Sequence, residues 1–230
     1  MYTIVIPARL GSTRLPKKML LDTTGKPLIC HTVESALTSR ASQIIVATDS
    51  QEIVDAVGDR CQCLMTPYCQ NGTERIQYTV TALGLEGVII NLQGDEPMMP
   101  GKILDDLADS RERVATLATF CEPSEYHDEN TVKVVVNNNG NAMYFSRSSI
   151  PHGGKGGLKH IGVYKYDVGF LKSIRAMPRT CYESERLEQL QWLEAGTTIE
   201  VLLHNIITYG IDTIDDYLKF AHEYKVDSNT

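Results

Sequence analysis

Residues 4–18 read IVIPARLGSTRLPKK, a buried-strand pattern followed at once by a polar and cationic turn. The turn holds one glycine, two hydroxyls and four cations, namely Arg9, Arg14, Lys17 and Lys18. These cations are a local exception, because the whole chain carries a formal net charge of -7. Free N–H groups, hydroxyls and convergent cations after a strand suit a polyphosphate, and a solvated basic loop is the alternative interpretation. The segment contains neither the dinucleotide fingerprint nor the Walker A pattern.

Length, charge and composition exclude several classes of protein. A chain of 230 residues fits one large α/β domain, or one domain with a subsidiary lobe. The acidic balance argues against nucleic acid as a partner. No segment has the ~20 uncharged apolar residues of a membrane span, and no secretion signal is recognisable, so we expect a cytoplasmic protein. The six cysteines are expected to be reduced, with a zinc or redox role for Cys61, Cys63 and Cys69 as the alternative.

Apolar runs alternate with longer amphipathic stretches along the chain. We expect strands at 2–6, 43–47, 62–65, 87–91, 114–120, 132–136, 160–165 and 199–204. We expect helices at 27–39, 51–57, 72–83, 101–113, 168–177, 184–195 and 213–223, the sixth starting at Ser184 and the last at Thr213. The alternation in the first half predicts a Rossmann-like, mostly parallel sheet flanked by helices. The turn-forming run 137–141 predicts a hairpin.

Three polar clusters follow predicted strands: the basic loop 9–18, the pair Thr48-Asp49, and the turn 93–97 that contains Asp95. Ligands of such folds bind beyond the carboxyl ends of the strands, so we expect the three clusters at one edge of the sheet. A second carboxylate, Asp212, precedes the last helix, where the simpler interpretation is a helix N-cap. Together Asp95 and Asp212 suit a divalent metal bound to a triphosphate.

Three further groups of residues are candidates for binding. His160 and Tyr164 share one face of a predicted strand, which suits a polyol or carboxylate ligand or, alternatively, a hydrogen-bonded half-buried pair. Glu188 and Gln189 border the apolar side of a predicted helix, where they point into a pocket or into solvent. Arg75, in the first turn of a helix, opposes the helix dipole, which indicates a ligand or an acidic partner.

Ten segments, taken in order, resemble the CMP-sugar synthetase family and, within it, the 3-deoxy-manno-octulosonate (Kdo) cytidylyltransferases. The resemblance covers residue 4 to about residue 218, and the segments read IPARLGSTRLPKK, IIVATD, NGTERI, INLQGDEP, ATL, VKVV, AMYFSRSSIP, KHIGVYKY, ESERLEQLQWLEAG and GIDT. The resemblance implies one nucleotidyltransferase domain over 1–230, with a sugar-binding and dimerisation lobe at roughly 137–200. It also implies a homodimer formed through the hairpin near residues 137–145 and adjoining strands.

The resemblance further implies that CTP and Kdo give CMP-Kdo and pyrophosphate, with Mg2+ as cofactor, for lipopolysaccharide or capsule synthesis. Asp95 and Asp212 would hold the metal and, with Arg9 and Lys18, form the catalytic set. The CTP-binding residues would be Arg9, Ser12, Thr13, Arg14, Lys18, Arg75 and Gln93. The residues for the sugar acid would be Arg147, His160, Tyr164, Glu188 and Gln189, with Arg147 facing its carboxylate.

The chain departs from the family pattern at several places. The usual LPGK has a glycine where this chain has Lys17, which is expected to stiffen the phosphate loop. The usual LEQLR ends here in Gln191, which removes a cation near the sugar pocket or the dimer contact. Another 2-keto-3-deoxy sugar acid, such as 8-amino-Kdo or a nonulosonic acid, therefore stays an alternative acceptor. A non-catalytic nucleotide-binding module is the alternative outside enzymes.

Overall fold

The structure is a computed structural model that describes residues 1–12, 14–154, 156–174, 180–206, 208 and 210–227. The chain divides into two compact units, one of Met1–Asp105 with Ile207–Thr230 and one of Asp106–Ile206. The lobe expected at 137–200 falls within the second unit. Its role in sugar binding and dimerisation stays a prediction.

The sheet of the first unit is parallel, as the alternation of strands and helices predicted. Its strands are β1 (Tyr2–Ala8), β2 (Gln43–Thr48), β3 (Gln62–Met65) and β4 (Val88–Asn91). The order is β3-β2-β1-β4, with β1 paired to both β2 and β4. Every residue of β1 is buried, as expected of a central strand covered on both faces. The carboxyl ends of β1, β2 and β4 therefore meet at one edge.

Helices carry the chain from the carboxyl end of one strand back to the start of the next. The connecting helices are α1 (Leu28–Leu37), α2 (Gln51–Val57) and α3 (Gly72–Leu83), while α4 (Gly101–Ala108) follows β4 and α9 (Ile214–Asp227) lies at the end of the chain. A core cluster joins the basic loop to the last helix through Leu15, Leu28, Ile211, Tyr217 and Phe220. Residues almost 200 positions apart in sequence are thus fixed beside each other by apolar burial.

The second unit contains a mixed sheet. Its strands are β5 (Val114–Phe120), β6 (Lys133–Val136), β7 (Ala142–Ser146), β8 (Leu158–Asp167) and β9 (Ile199–Leu203). Strand β5 is antiparallel to β8 and parallel to β9. Strands β6 and β7 form the predicted hairpin, in which Gly140 has a φ of 80° at the turn. Shorter helices complete the unit: α5 (Pro123–Tyr126), α6 (Val168–Ser173), α7 (Thr180–Glu185) and α8 (Gln189–Glu194).

Two helix predictions are wrong in their bounds. The stretch 184–195 forms two helices, and Ser184 lies inside α7 and does not start a helix. The break falls at Arg186, whose φ of 58° is left-handed and cannot continue a right-handed helix. The helix predicted at 101–113 ends at Ala108. Beyond it, the backbone N–H groups of Arg111 and Glu112 donate to the carboxylate of Glu200, at 2.8 and 3.3 Å.

Two smaller results complete the fold. Pro123–Tyr126 forms a short helix with a capping box, which the apolar pattern did not indicate. The predicted helix 168–177 begins as expected, but 175–179 lie outside the described residues. Within the described ranges, none of the helices has the length and apolarity that crossing a bilayer requires.

Lys17 adopts a left-handed conformation, with φ 52° and ψ 29°. This is the position at which the family pattern has glycine, the residue that adopts this conformation without a steric penalty. The ammonium of Lys17 forms an exposed ion pair with Glu52 at 2.7 Å. Such pairs contribute little in water, so the backbone strain is not offset by a strong interaction.

We expect Lys17→Gly to be more stable than Lys17→Ala by about 1 kcal/mol, because both lose the ion pair and only glycine relieves the left-handed strain. Urea unfolding of the two variants measures this difference. Equal stability, or greater stability of the alanine variant, would contradict this account of the loop.

Candidate active site

A cavity of about 270 Å³ opens at the carboxyl edge of the parallel sheet in the first unit. The loop after β1 supplies Arg9, Ser12, Arg14 and Lys18 to its wall, and the turn after β4 supplies residues 93–95. Asp212, from the far end of the sequence, completes that side. The predicted convergence of the basic loop and the Asp95 turn at one edge is therefore confirmed.

Lys18 lies at the centre of the charged side of this cavity. Its ammonium is 2.5 Å from Asp95 Oδ2 and 3.0 Å from Asp212 Oδ1, and it donates to the carbonyl of Ile211 at 2.8 Å. The side chain of Lys18 is only 10% exposed. Burial opposes its charge, but the carboxylates of Asp95 and Asp212 outweigh burial and raise the pKa of Lys18 above its ordinary value. One buried cation thus holds two carboxylates together.

Asp212 is not the N-cap of α9, which corrects the simpler interpretation of this residue. The hydroxyl of Thr213 accepts from the backbone N–H of Asp216 at 3.2 Å. In return, the carboxylate of Asp216 accepts from the backbone N–H of Thr213 at 2.8 Å. This reciprocal cap satisfies the start of the helix and leaves the side chain of Asp212 to contact cations. Thr213 is therefore the helix start that the sequence predicted.

The other predicted phosphate-binding residues lie around this centre. Arg14 pairs with Asp212 at 2.9 Å and stays more than half exposed. Arg9 is exposed on the cavity wall, and the hydroxyl of Ser12 accepts from the backbone N–H of Leu15 at 3.4 Å. Thr13 lies outside the described residues. Arg9, Arg14 and Lys18 thus border one cavity, the arrangement that binding a polyphosphate requires.

Arg75 has the acidic partner that its position on the helix indicated. Its guanidinium is 3% exposed, donates to Asp49 at 2.8 Å and contacts the hydroxyl of Thr66. Asp49 directly follows β2, so the third polar cluster reaches the cavity through this pair. Sequence reasoning placed Asp49 at the edge but did not pair it with Arg75. Their separation of 26 positions left no local signal for the pairing.

Gln93 lines the same cavity as Arg75. Its amide nitrogen donates to Asn91 Oδ1 at 2.6 Å. Gly72 passes so close that a Cβ there would lie 3.3 Å from both polar atoms of the Gln93 amide. The buried Asn91 and the lining residue Cys69 were not predicted as part of the site. The sequence signal that could have identified Asn91 is its position two residues before Gln93.

The donor set fits a magnesium ion that is also held by a substrate. Asp95 and Asp212 supply only oxygen ligands and converge on one point, where the Lys18 ammonium bonds one oxygen of each. Magnesium characteristically takes one or two carboxylates and completes its shell with phosphate oxygens and water. Among the described residues, no group of three or more His, Cys, Asp or Glu side chains is arranged to hold a metal.

The residues predicted to bind the sugar acid all belong to the second unit. His160 Nε2 lies 2.9 Å from the hydroxyl of Thr116, and its ring centroid is 5.4 Å from that of Tyr164. Tyr164 also packs edge-on against Trp192 at 5.2 Å. A register shift between β5 and β8 interrupts the strict alternation, yet the two rings remain adjacent, as predicted. Burial lowers the pKa of His160 to about 3, so its imidazole is neutral near pH 7.

Arg147 is held by backbone carbonyls. Its guanidinium donates to the carbonyls of Glu185 and Glu129, at 3.3 and 3.1 Å. Gln189 is buried at the start of α8, and Glu188 precedes it. Two N–H groups of Arg147 are thus occupied by main-chain oxygens, out of the five that a guanidinium carries.

Comparison with known proteins identifies the family. The family model described as cytidylyltransferase matches residues 3–199. The chain belongs to the cytidylyltransferase family. It is 40% identical to the 3-deoxy-manno-octulosonate cytidylyltransferase of Chloroherpeton thalassium, over 94% of each chain. It is also 40% identical to the enzyme of that name from Yersinia enterocolitica, over 94% of this chain and 95% of the relative.

A solved structure extends the comparison to three dimensions. It is a CMP:2-keto-3-deoxy-manno-octonic acid synthetase complexed with CTP, which matches with a TM-score of 0.92 at 36% identity. The match covers 98% of this chain and 99% of the other. The α/β fold with a mostly parallel sheet is therefore shared with a cytidylyltransferase along its whole length.

One departure from the cytidylyltransferase pattern lies in α8. Gln191 replaces the usual arginine, and it is 7% exposed in this helix. An uncharged amide can be buried at such a position at a smaller cost than an unpaired guanidinium. This cytidylyltransferase therefore presents a neutral group where the pattern has a cation.

We expect His160→Gln to lose less stability than the parent on acidification from pH 7 to pH 5. The unfolded chain protonates this histidine near pH 6.5, whereas the folded chain keeps it neutral down to about pH 3. This histidine therefore costs the folded state no stability above pH 6.5. As the pH falls below that value, protonation favours the unfolded chain and the free energy of unfolding decreases. Thermal unfolding at the two pH values measures the effect, and an equal loss in both proteins would contradict the neutral state of His160.

Proposed function

We propose that this chain is a Kdo cytidylyltransferase, which converts CTP and Kdo to CMP-Kdo and pyrophosphate. The observation that carries the proposal is the convergence of Lys18, Asp95 and Asp212 on one cavity at the carboxyl edge of the parallel sheet. The relatives with the name of this activity match 94% of the chain at 40% identity, which supports the same assignment.

The proposed reaction is attack on phosphorus without a covalent enzyme intermediate. The anomeric hydroxyl of the sugar acid forms a bond to the α-phosphorus of CTP and releases its proton. The bond from that phosphorus to the bridging oxygen of the β-phosphate breaks, and pyrophosphate leaves. Such reactions depend mainly on positioning and on the stabilisation of negative charge, so the protein need not supply a nucleophile.

Cations of the basic loop supply that stabilisation in our proposal. Arg9, Arg14 and Lys18 bind the phosphates, with hydroxyls of Ser12 and Thr13 as additional donors. Because Arg14 already pairs with Asp212, phosphate binding exchanges one anionic partner of this arginine for another. Mg2+, held by Asp95 and Asp212, would neutralise further charge on the phosphates when bound.

The proposal assigns separate residues to the nucleoside and to the sugar acid. Arg75 and Gln93, fixed by Asp49 and Asn91, bind the nucleoside. The residues assigned to the sugar acid are Arg147, His160, Tyr164, Glu188 and Gln189. A neutral His160 serves as a hydrogen-bonding group for a polyol, with no charge of its own.

We further propose a cytoplasmic homodimer that acts in lipopolysaccharide or capsule synthesis. The hairpin of β6 and β7 carries two exposed apolar side chains, Met143 and Tyr144, with 61% and 39% of their surface accessible. Exposed apolar groups on a strand support its use as an interface between copies.

An acceptor panel tests the activity directly. Pyrophosphate release is measured with CTP, UTP, ATP or GTP against Kdo, 8-amino-Kdo, a nonulosonic acid and a sugar phosphate. We expect release only with CTP, Kdo and Mg2+ together. If only another sugar acid is turned over, that acid and not Kdo is the acceptor. If calorimetry shows CTP binding but no acid is turned over, the protein is not a catalyst.

We expect Asp95→Asn to lose at least about 100-fold in kcat, because it removes charge that faces the phosphates and the metal. Pyrophosphate release at saturating CTP and Mg2+ measures the loss. Asp59→Asn is the matched control, since Asp59 is exposed in a turn after α2 and away from the cavity lining. Full activity of Asp95→Asn would exclude the assigned role.

A further inference from the structure

Glu96 is a buried carboxylate directly after Asp95, and the reaction as proposed gives it no part. It is 9% exposed, in contrast to Asp95, whose side chain is 24% exposed toward the cavity. A carboxylate is expensive to bury unless hydrogen-bond donors satisfy it. Its position therefore requires a structural or functional reason.

One hydrogen bond of Glu96 reaches the segment that carries Asp212. The buried hydroxyl of Thr208 donates to Glu96 Oε2 at 3.1 Å. Gly210 passes the other oxygen, Oε1, so closely that a Cβ on it would lie 3.1 Å away. The carboxylate therefore bonds one residue of the 208–212 segment and packs against another.

A second link joins the same two segments through the main chain. The backbone N–H of Ile211 donates to the carbonyl of Asp95 at 2.9 Å. The side chain of Ile211 is fully buried in the core cluster with Leu15 and Tyr217. The turn after β4 and the segment before α9 are thus joined twice, by the carbonyl of Asp95 and by the carboxylate of its neighbour Glu96.

We infer that Glu96 is a positioning residue, which through Thr208 sets the separation of Asp95 and Asp212. The inference rests on the proposed function, since it assigns Glu96 to the carboxylate pair of that site. Lys18 attracts both aspartates and donates to the backbone carbonyl of Ile211, but it makes no bond to the backbone of Asp95 that the structure describes. The Glu96–Thr208 hydrogen bond and the Ile211–Asp95 hydrogen bond hold the two segments together, so that Asp95 and Asp212 would be in place to hold one metal ion.

Thr208→Val tests the inference, because valine keeps the shape of threonine and removes only the hydroxyl. The Glu96 carboxylate then loses this donor, which weakens the link between the turn that carries Asp95 and the segment that carries Asp212. We expect the Kd for CTP in the presence of Mg2+ to rise roughly ten-fold, as small displacements in such sites have large effects. We expect Thr208→Ser, which retains the hydroxyl, to bind within about two-fold of the parent.

Gly210→Ala gives an independent perturbation that keeps the hydroxyl of Thr208. Its new methyl group would displace the Glu96 carboxylate by direct contact, so we expect weaker binding in the same direction. Thr119→Val is the matched control for removal of a buried hydroxyl. Thr119 lies in the second unit, is 7% exposed and donates to the carbonyl of Ile206 at 3.4 Å.

Calorimetry of CTP with Mg2+ is the readout, and thermal unfolding of each variant is measured beside it. A purely structural role predicts that Thr208→Val and Thr119→Val lose similar stability while both keep the parent affinity, and this result would overturn the inference. Loss of affinity in Thr208→Val and Gly210→Ala, with affinity retained in Thr208→Ser, supports it. If Thr208→Val does not fold, parent-like affinity in Gly210→Ala is the overturning result.

The binding experiment contains no sugar acid, so it is separate from the acceptor panel. Absence of turnover on Kdo by the parent protein would refute the proposed function and leave the binding comparison interpretable. Conversely, parent-like affinity in Thr208→Val would refute the role of Glu96 and leave the cytidylyl transfer standing.

Discussion

The ammonium of Lys18 between Asp95 and Asp212 is the interaction on which the charged side of the cavity depends. Two carboxylates that converge on one point repel each other, and in a partly buried site water screens this repulsion poorly. Lys18 removes the repulsion with one charge placed 2.5 and 3.0 Å from an oxygen of each. The three residues come from sequence positions 18, 95 and 212, so their contact requires most of the first unit to be folded.

The rest of the first unit serves to hold these groups in place. Strand β1 delivers the basic loop, and strand β4 delivers the turn with Asp95, on neighbouring positions of a parallel sheet. The reciprocal cap of Thr213 and Asp216 starts α9 without the use of Asp212. If Asp212 capped the helix instead, its carboxylate would bond the helix N-terminus and would face away from Lys18. Thr213 can therefore cap the helix while the adjacent Asp212 pairs with Lys18.

Parts of this arrangement follow from sequence and parts do not. An apolar run such as residues 2–6, with alternating helices after it, predicts a central parallel strand, and parallel strands place their following loops at one edge. The acidic partner of Arg75 was foreseeable from its place in the first helical turn, but its identity, Asp49, was not. No local sequence pattern predicts the Glu96–Thr208 hydrogen bond, which joins residues 112 positions apart. The same is true of the left-handed conformation of Arg186. Such features depend on packing between distant segments, which periodicity does not encode.

A double-mutant cycle on Lys18 and Asp95 tests the central interaction most directly. Unfolding free energies are measured in metal-free buffer for the parent, Lys18→Met, Asp95→Asn and the double variant. We expect Lys18→Met to be strongly destabilising and Asp95→Asn to restore part of the loss, with a coupling of about 1–3 kcal/mol. Strictly additive effects of the two substitutions would contradict it, because they would show that the ammonium does not hold the carboxylates together.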